Sequence, residues 1–315
     1  MDSSVFCDLS GDNGVPKDDL AATIRTFIPF GDLPHHPDRS SSSVKWFGTD
    51  NEEAYRKHSG HPVYNVDDIT YDFNSYGYRC AEFKTDADIR VLSVGCSYVL
   101  GLGLPARDIF HERLCRRIAA AASATICNWN LGSAGASNDL ISRLVHLAVP
   151  CLAPDLVLVH FTHSGRRDYV SVEGQHFDYL PAVQRLGMVA KEIRSQYAAL
   201  KEIHSHFAAL TSVYDDALNL FRNYSSLAAL LKGTPWLCSF SSVEQTAHLG
   251  DHLQKSHLAG MLPRVDLARD HLHPGPISHE RLEMAYWAQL TENRWLETIS
   301  SGKGMEYNSD GRGLK

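Results

Sequence analysis

The sequence predicts an α/β domain, a parallel sheet with helices on both faces, and two apolar runs carry that prediction. Ile89-Arg90-Val91-Leu92-Ser93-Val94 ends in Gly95, and Leu156-Val157-Leu158-Val159-His160-Phe161 is introduced by Pro154 and Asp155. Each run is short, rich in branched apolar residues and bounded by breakers, as strands are. Helical periodicity lies between them, and strands alternating with helices at this spacing give a parallel sheet. Right-handed crossovers then fix much of the topology.

The remaining elements follow in order. Residues 1–85 are rich in Gly, Pro, Asp and Ser, with a serine run at Ser40 to Ser43, and read as an irregular extension packed on the core. A domain spanning 86–300 follows. Its first helix is expected from Ala106 to Ala121, with Ile109, Leu114 and Ile118 on the buried face. A strand from Thr125 to Leu131, a Gly/Ser/Asn turn and a helix from Ser137 to Val149 complete the stretch between the two runs. From Val183 to Leu231 apolar residues recur at spacings of three and four, so 183–232 reads as a helical insertion. It is either a lid, a partner-binding helix pair, or part of the layer packed on the sheet. Pro235 precedes a last strand, Trp236 to Phe240, and a final helix runs from Ser278 towards Thr298. The polar tail 301–315 is expected to be flexible.

Bulk composition narrows the function. Lys plus Arg number 30 and Asp plus Glu 37, a net charge of −7, which argues against a nucleic acid or an anionic membrane as partner. No stretch approaches 18 apolar residues, and the acidic start lacks the basic, then apolar, pattern of a secretory signal. The seven cysteines are odd in number and never spaced C-x-x-C. Cys127, Cys151 and Cys238 lie in apolar runs and read as small buried hydrophobes, so a cytoplasmic, reducing location is expected. Seventeen histidines include the pairs His204/His206 and His271/His273, and in a helix residues two apart point to different faces, so His204/His206 is a poor chelate there. No metal and no cofactor are expected. Gly101-Leu102-Gly103-Leu104-Pro105-Ala106 comes near a dinucleotide fingerprint but begins six residues after the strand, with no acid placed for a ribose.

The chemistry concentrates at two places. Ser97 follows the strand and Gly95-Cys96, at the carboxyl edge where parallel-sheet sites form. The helix after it offers N–H groups to a developing oxyanion. A serine hydroxyl needs a base, and Asp270-His271-Leu272-His273-Pro274 supplies one. An acid three residues before a histidine folds back in one turn and holds one ring nitrogen, leaving the other for the serine. His271 lies too close to Asp270 for the same geometry. Cys96 is a poor rival nucleophile, since adjacent side chains diverge on such a turn.

These residues resemble the SGNH (GDSL-like) hydrolase family. Gly95-Cys96-Ser97-Tyr98 is similar to the nucleophile block, where Gly-Asp-Ser is usual, and Asn130-Leu131-Gly132-Ser133-Ala134-Gly135 to the second block. Asp270 to Pro274 matches the last block, D-x-x-H-P, and Asn74 to Arg79 resembles a segment that often precedes the nucleophile strand. The resemblance spans about residues 74 to 165 and 262 to 295. It implies a three-layer α/β/α, flavodoxin-like fold and acyl transfer through an acyl-enzyme on Ser97, with His273 as base and Asp270 as its orienting acid. Ester hydrolysis or deacetylation, transfer of the acyl group to another acceptor, and a binding module without turnover remain open. The substrate would be a small-molecule or carrier-bound ester.

The register also implies an oxyanion hole from the N–H groups of Ser97 and Gly135. The third block, G-x-N-D, has lost its Asn: the chain reads Thr162-His163-Ser164-Gly165-Arg166-Arg167, with Ser164 in the Asn position and Thr162 and His163 as neighbouring donors. Asn138 is a further candidate from the start of a helix, where Asn also caps well. Tyr98, Arg166 and Arg167 are expected at the substrate mouth, the arginines favouring an anionic substrate.

Overall fold

The architecture is given by a computed structural model, which describes residues 33–84, 86–170, 176–179 and 212–300. Five parallel strands form the central sheet: β3 (Ile89–Val94), β4 (Ile126–Asn130), β5 (Leu156–Phe161), β8 (Trp236–Phe240) and β9 (Leu258–Met261). Their spatial order is β4-β3-β5-β8-β9. In sequence order this is 2-1-3-4-5, the flavodoxin-like arrangement. Two short strands precede them, β1 (Ser43–Val44) and β2 (Tyr71–Asp72), and two lie between β5 and β8, β6 (Arg167–Val170) and β7 (His176–Tyr179).

The side-chain alternation explains why both sheet faces are covered. Leu92, Val94, Val157, Val159, Phe161, Trp236, Cys238 and Phe240 point to one core; Ile89, Val91, Leu156, Leu158 and Leu237 point to the other. In chain order the helices are α1 (Glu52–Lys57), α2 (Ser97–Leu100), α3 (Phe110–Ala122), α4 (Asn138–Leu152), α5 (Val213–Leu230), α6 (Val243–Leu249), α7 (Pro276–Glu292) and α8 (Trp295–Ser300). On the first core lie α4, through Ile141, Leu144, Val145 and Ala148, and α5, through Leu220, Tyr224 and Leu227. On the second lie α3, through Phe110, Leu114 and Ile118, and α7, through Leu282, Tyr286 and Leu290. Each such side chain contributes about 1.5–3 kcal/mol on full burial. The result is the expected three-layer α/β/α fold.

The strand order places the site. From β3 the chain crosses to the edge strand β4, then returns over the opposite face to β5, so the crossovers diverge at the carboxyl ends of β3 and β5. A crevice opens at such a switch point, and Ser97 follows β3 directly.

Several elements differ from expectation. The final helix is two, α7 and α8, separated at Arg294, which takes a left-handed φ of 57°. Leu258–Met261 adds a fifth strand that the sequence hides: Leu-Ala-Gly-Met has no alternation, is only half-buried, and pairs with β8 through a register shift. After β5 the chain forms the antiparallel hairpin β6–β7, with Arg167 opposite Tyr179. Of the helical insertion, residues 180–211 lie outside the described residues; α5, capped by Ser212, packs on the sheet as scaffold. The tail 301–315 lies outside as well. Cys238 is buried, whereas Cys127 is half-buried and Cys151 exposed, because both sit at outward positions of β4 and α4. Among the described residues no helix is long and apolar enough to cross a membrane.

Residues 33–84 are not featureless. Strands β1 and β2 pair antiparallel, and Tyr64, Ile69, Tyr71 and Phe73 join the second core. Asp50 and Arg269, both fully buried, form a two-bond ion pair of 3.0 and 2.8 Å that ties this segment to the loop before α7.

Candidate active site

A sharp turn presents Ser97. Cys96 is extended (φ −87°, ψ −156°) and its carbonyl accepts the N–H groups of Val99 and Leu100, which starts α2 one residue later. Cys96 is sealed in the first core, whereas Ser97, 5% exposed, turns towards His273. The far end of α2 is held by Arg79. Its guanidinium, buried over the Tyr71 ring, donates to the carbonyls of Leu100, Gly101 and Leu104. The Leu100 carbonyl has no partner within so short a helix; those of Gly101, which also accepts the Leu104 N–H, and Leu104 lie just beyond it, and one buried cation serves all three. Arg79 thereby gives the Asn74–Arg79 segment a structural role beside Ser97.

The second half of the site is the loop Leu267 to Pro274, closed by Ala268 N–H on the His273 carbonyl at 2.9 Å. His271 takes a left-handed φ of 57°, which tightens the turn so that the Asp270 carboxylate reaches back. Its Oδ1 accepts the N–H groups of Leu272 and His273, both at 3.0 Å. Its Oδ2 lies 2.5 Å from His273 Nδ1, and His273 Nε2 lies 2.8 Å from Ser97 Oγ. Gly103 joins the two halves. At φ +74°, a Cβ there would lie 2.8 Å from Ala268 Cβ and about 3 Å from the Arg269 and Asp270 nitrogens, so only glycine lets the chains approach.

The electrostatics fix the tautomer. Burial alone raises the Asp270 pKa, but bonds from the His273 ring, its N–H and Thr49 outweigh that and hold it at about 2. Asp270 is therefore a carboxylate, so Nδ1 must donate to it. His273 Nε2 is left as an acceptor for the Ser97 hydroxyl. Tyr98 stands edge-on against the His273 ring, centroids 5.6 Å apart, and also meets His160 at 5.5 Å.

The expected oxyanion donors divide. Among the described residues the N–H groups of Ser97 and Gly135 donate to no protein acceptor, and Gly135 holds a left-handed φ of 83°. Thr162 is fully buried, its hydroxyl unpartnered and facing no solvent. His163 is exposed and Ser164 half-buried. Asn138 is otherwise employed: its amide donates to the Thr162 carbonyl at 3.1 Å and accepts the Thr162 N–H at 2.9 Å. It clamps α4 to the end of β5 with its oxygen and one of its two N–H groups.

The two arginines also part. Arg167 is buried and bonded to Asp215 and Asp216, which ties the hairpin to α5 and pairs its charge. Arg166 lies beside Ala136, with Nη1 3.4 Å from its carbonyl. Arg166 and the exposed Arg264 both act electrostatically on Tyr98. Neither has a carboxylate within 4 Å among the described residues. Arg264 and Thr49 escaped the sequence reading. Among the described residues no cluster of His, Cys, Asp or Glu is arranged to hold a metal.

No family model matches the chain, and no curated protein matches it. Solved structures to which it is similar include a family 3 carbohydrate esterase of Clostridium thermocellum, 11% identical over 67% of this chain and 98% of that one, with a TM-score of 0.41. A lipase/acylhydrolase from Enterococcus faecalis is 12% identical over 65% of this chain and 96% of its own, with a TM-score of 0.40. An acetyl xylan esterase from the rumen bacterium Butyrivibrio proteoclasticus is 12% identical over 66% and 65%, with a TM-score of 0.37.

Proposed function

We propose that the chain is a serine-dependent acyl hydrolase acting on esters through an acyl-enzyme. The observation that carries this reading is the unbroken line Ser97 Oγ–His273 Nε2 at 2.8 Å and His273 Nδ1–Asp270 Oδ2 at 2.5 Å, from residues up to 176 positions apart. Ser97 Oγ attacks the ester carbonyl as its proton passes to His273 Nε2. Asp270 stabilises the imidazolium without taking the proton. The carbonyl oxygen becomes an oxyanion facing the Ser97 and Gly135 N–H groups, with Ser164 or His163 as third donor. Collapse expels the alcohol, which takes the proton from His273. A water then repeats the sequence on the acyl-enzyme, releasing the acid and freeing Ser97.

Arg166 and Arg264, whose positive charges act on Tyr98 and which have no carboxylate within 4 Å among the described residues, favour an ester that carries an anionic group. The free thiols of Cys80, Cys96, Cys115, Cys127 and Cys238 suit a reducing cytosol.

The test is labelling by a fluorophosphonate together with turnover of a panel of neutral and anionic esters, wild type against Ser97→Ala. Wild type should label and turn over, anionic esters fastest, and Ser97→Ala should do neither. A wild type that neither labels nor hydrolyses any ester overturns the reading and points to a binding module.

A further inference from the structure

Asp270 is contacted from a part of the chain that no motif singled out. Thr49 Oγ1 donates to Asp270 Oδ2 at 2.7 Å, across 221 positions of sequence. An ionised carboxylate offers about four acceptor positions. Oδ1 uses two on the N–H groups of Leu272 and His273, and Oδ2 uses one on His273 Nδ1; Thr49 takes the fourth.

The turn that carries Thr49 is held firmly for this purpose. Phe47 and Asp50 exchange backbone bonds of 2.9 and 3.1 Å around Gly48-Thr49, with Gly48 at φ +60°. Asp50, the next residue, grips Arg269, the neighbour of Asp270, and accepts the Tyr71 hydroxyl at 2.6 Å. Arg269 further donates to the carbonyls of Lys45, Asn65 and Val66 and lies over the Trp46 ring. Consecutive residues 49 and 50 thus hold consecutive residues 270 and 269. Thr49 itself is exposed, so core packing does not account for its position.

We propose that Thr49 is a positioning residue of the triad, its hydroxyl fixing the Asp270 carboxylate so that Oδ2 stays aimed at His273. This rests on the serine-hydrolase reading above. Residues 33–84 then belong to the active site as well as to the scaffold. Without the hydroxyl, Oδ2 has one donor and the carboxylate can swing in its plane, so His273 is oriented less tightly at the moment it takes the proton.

The experiment compares wild type, Thr49→Val, Thr49→Ser and Ser97→Ala for ester turnover, fluorophosphonate labelling rate and urea midpoint. A hydrogen bond to a charged group sets the scale, so Thr49→Val should lose about 10- to 100-fold in kcat, with KM little changed. The labelling rate should fall by a similar factor. Thr49→Ser should recover most of both, and Thr49→Val should lower the urea midpoint only modestly and stay fully folded in the assay. The proposal is overturned if Thr49→Val keeps wild-type kcat and labelling while Ser97→Ala loses both, or if only KM changes. It is equally overturned if the loss follows a fallen urea midpoint and Thr49→Ser does not restore it. A wild type that neither labels nor turns over removes the parent reading instead, and this proposal with it.

Discussion

An asparagine amide has two N–H donors and an acceptor oxygen, and a fully buried one needs partners for both ends. Asn138 spends its oxygen and one N–H on the Thr162 backbone, which clamps α4 to the end of β5. Thr162 is sealed in, and on the proposed mechanism His163 and Ser164 are the loop candidates for a third oxyanion donor. Alanine at whichever of the two donates should lower kcat by about 100- to 1000-fold, the usual cost of one oxyanion donor. The other should be nearly silent. Asn138→Ala should behave oppositely, losing stability while the folded fraction keeps most of its kcat. Steady-state kinetics and urea denaturation on the three variants separate these outcomes. Equal, unaltered kcat in both loop variants would mean that the two backbone N–H groups suffice.

At the scale of elements, what could be read in advance followed from locality. Strands β3 and β5 are buried on both faces, so their apolar runs stand out; β9, half-buried and interrupted by Gly260, does not. The Asp270–His273 contact was legible because D-x-x-H closes on itself within four residues. Thr49 and Asp50 were not, since a Gly-Thr-Asp turn carries no period and its partners lie more than 200 positions away. The Asp50–Arg269 pair is nonetheless a fully buried tie between the N-terminal segment and the site. Asp50→Asn leaves a guanidinium in a sealed site without its counter-charge, and breaking a buried pair this way costs about 3–5 kcal/mol. The urea midpoint should fall accordingly, and kcat with it, because the turn bearing Thr49 loses its anchor. An unchanged midpoint would show that the carbonyls of Lys45, Asn65 and Val66 hold Arg269 by themselves.

At the scale of the whole molecule, several histidines are built into the two cores as neutral rings. His111 donates through Nε2 to the Val99 carbonyl and accepts the Asn128 amide at Nδ1, and His279 Nδ1 accepts the Phe110 N–H. His160 sits between the hydroxyls of Ser239 and Ser241. Protonating His111 or His279 would set a donor against a donor. Burial lowers the pKa of all three, that of His160 from 6.5 to about 3. In the unfolded chain each titrates near its ordinary value, so below pH 6.5 the unfolded state binds more protons than the folded one. Their contribution to stability is therefore complete above about pH 6.5 and is lost as pH falls towards the folded values. Each histidine contributes a slope approaching about 1.4 kcal/mol per pH unit. Asp270, held at about 2, adds a further loss only below the ordinary carboxylate range of about 4. Urea unfolding between pH 8 and 4.5 should thus show a plateau above neutrality and a steep decline beneath pH 6. His160→Gln, which keeps a neutral hydrogen-bonding side chain, should make that decline shallower by roughly one histidine's share. A stability that stays level down to pH 4.5, or a His160→Gln curve parallel to wild type, would show that these rings accept protons without disturbing the fold.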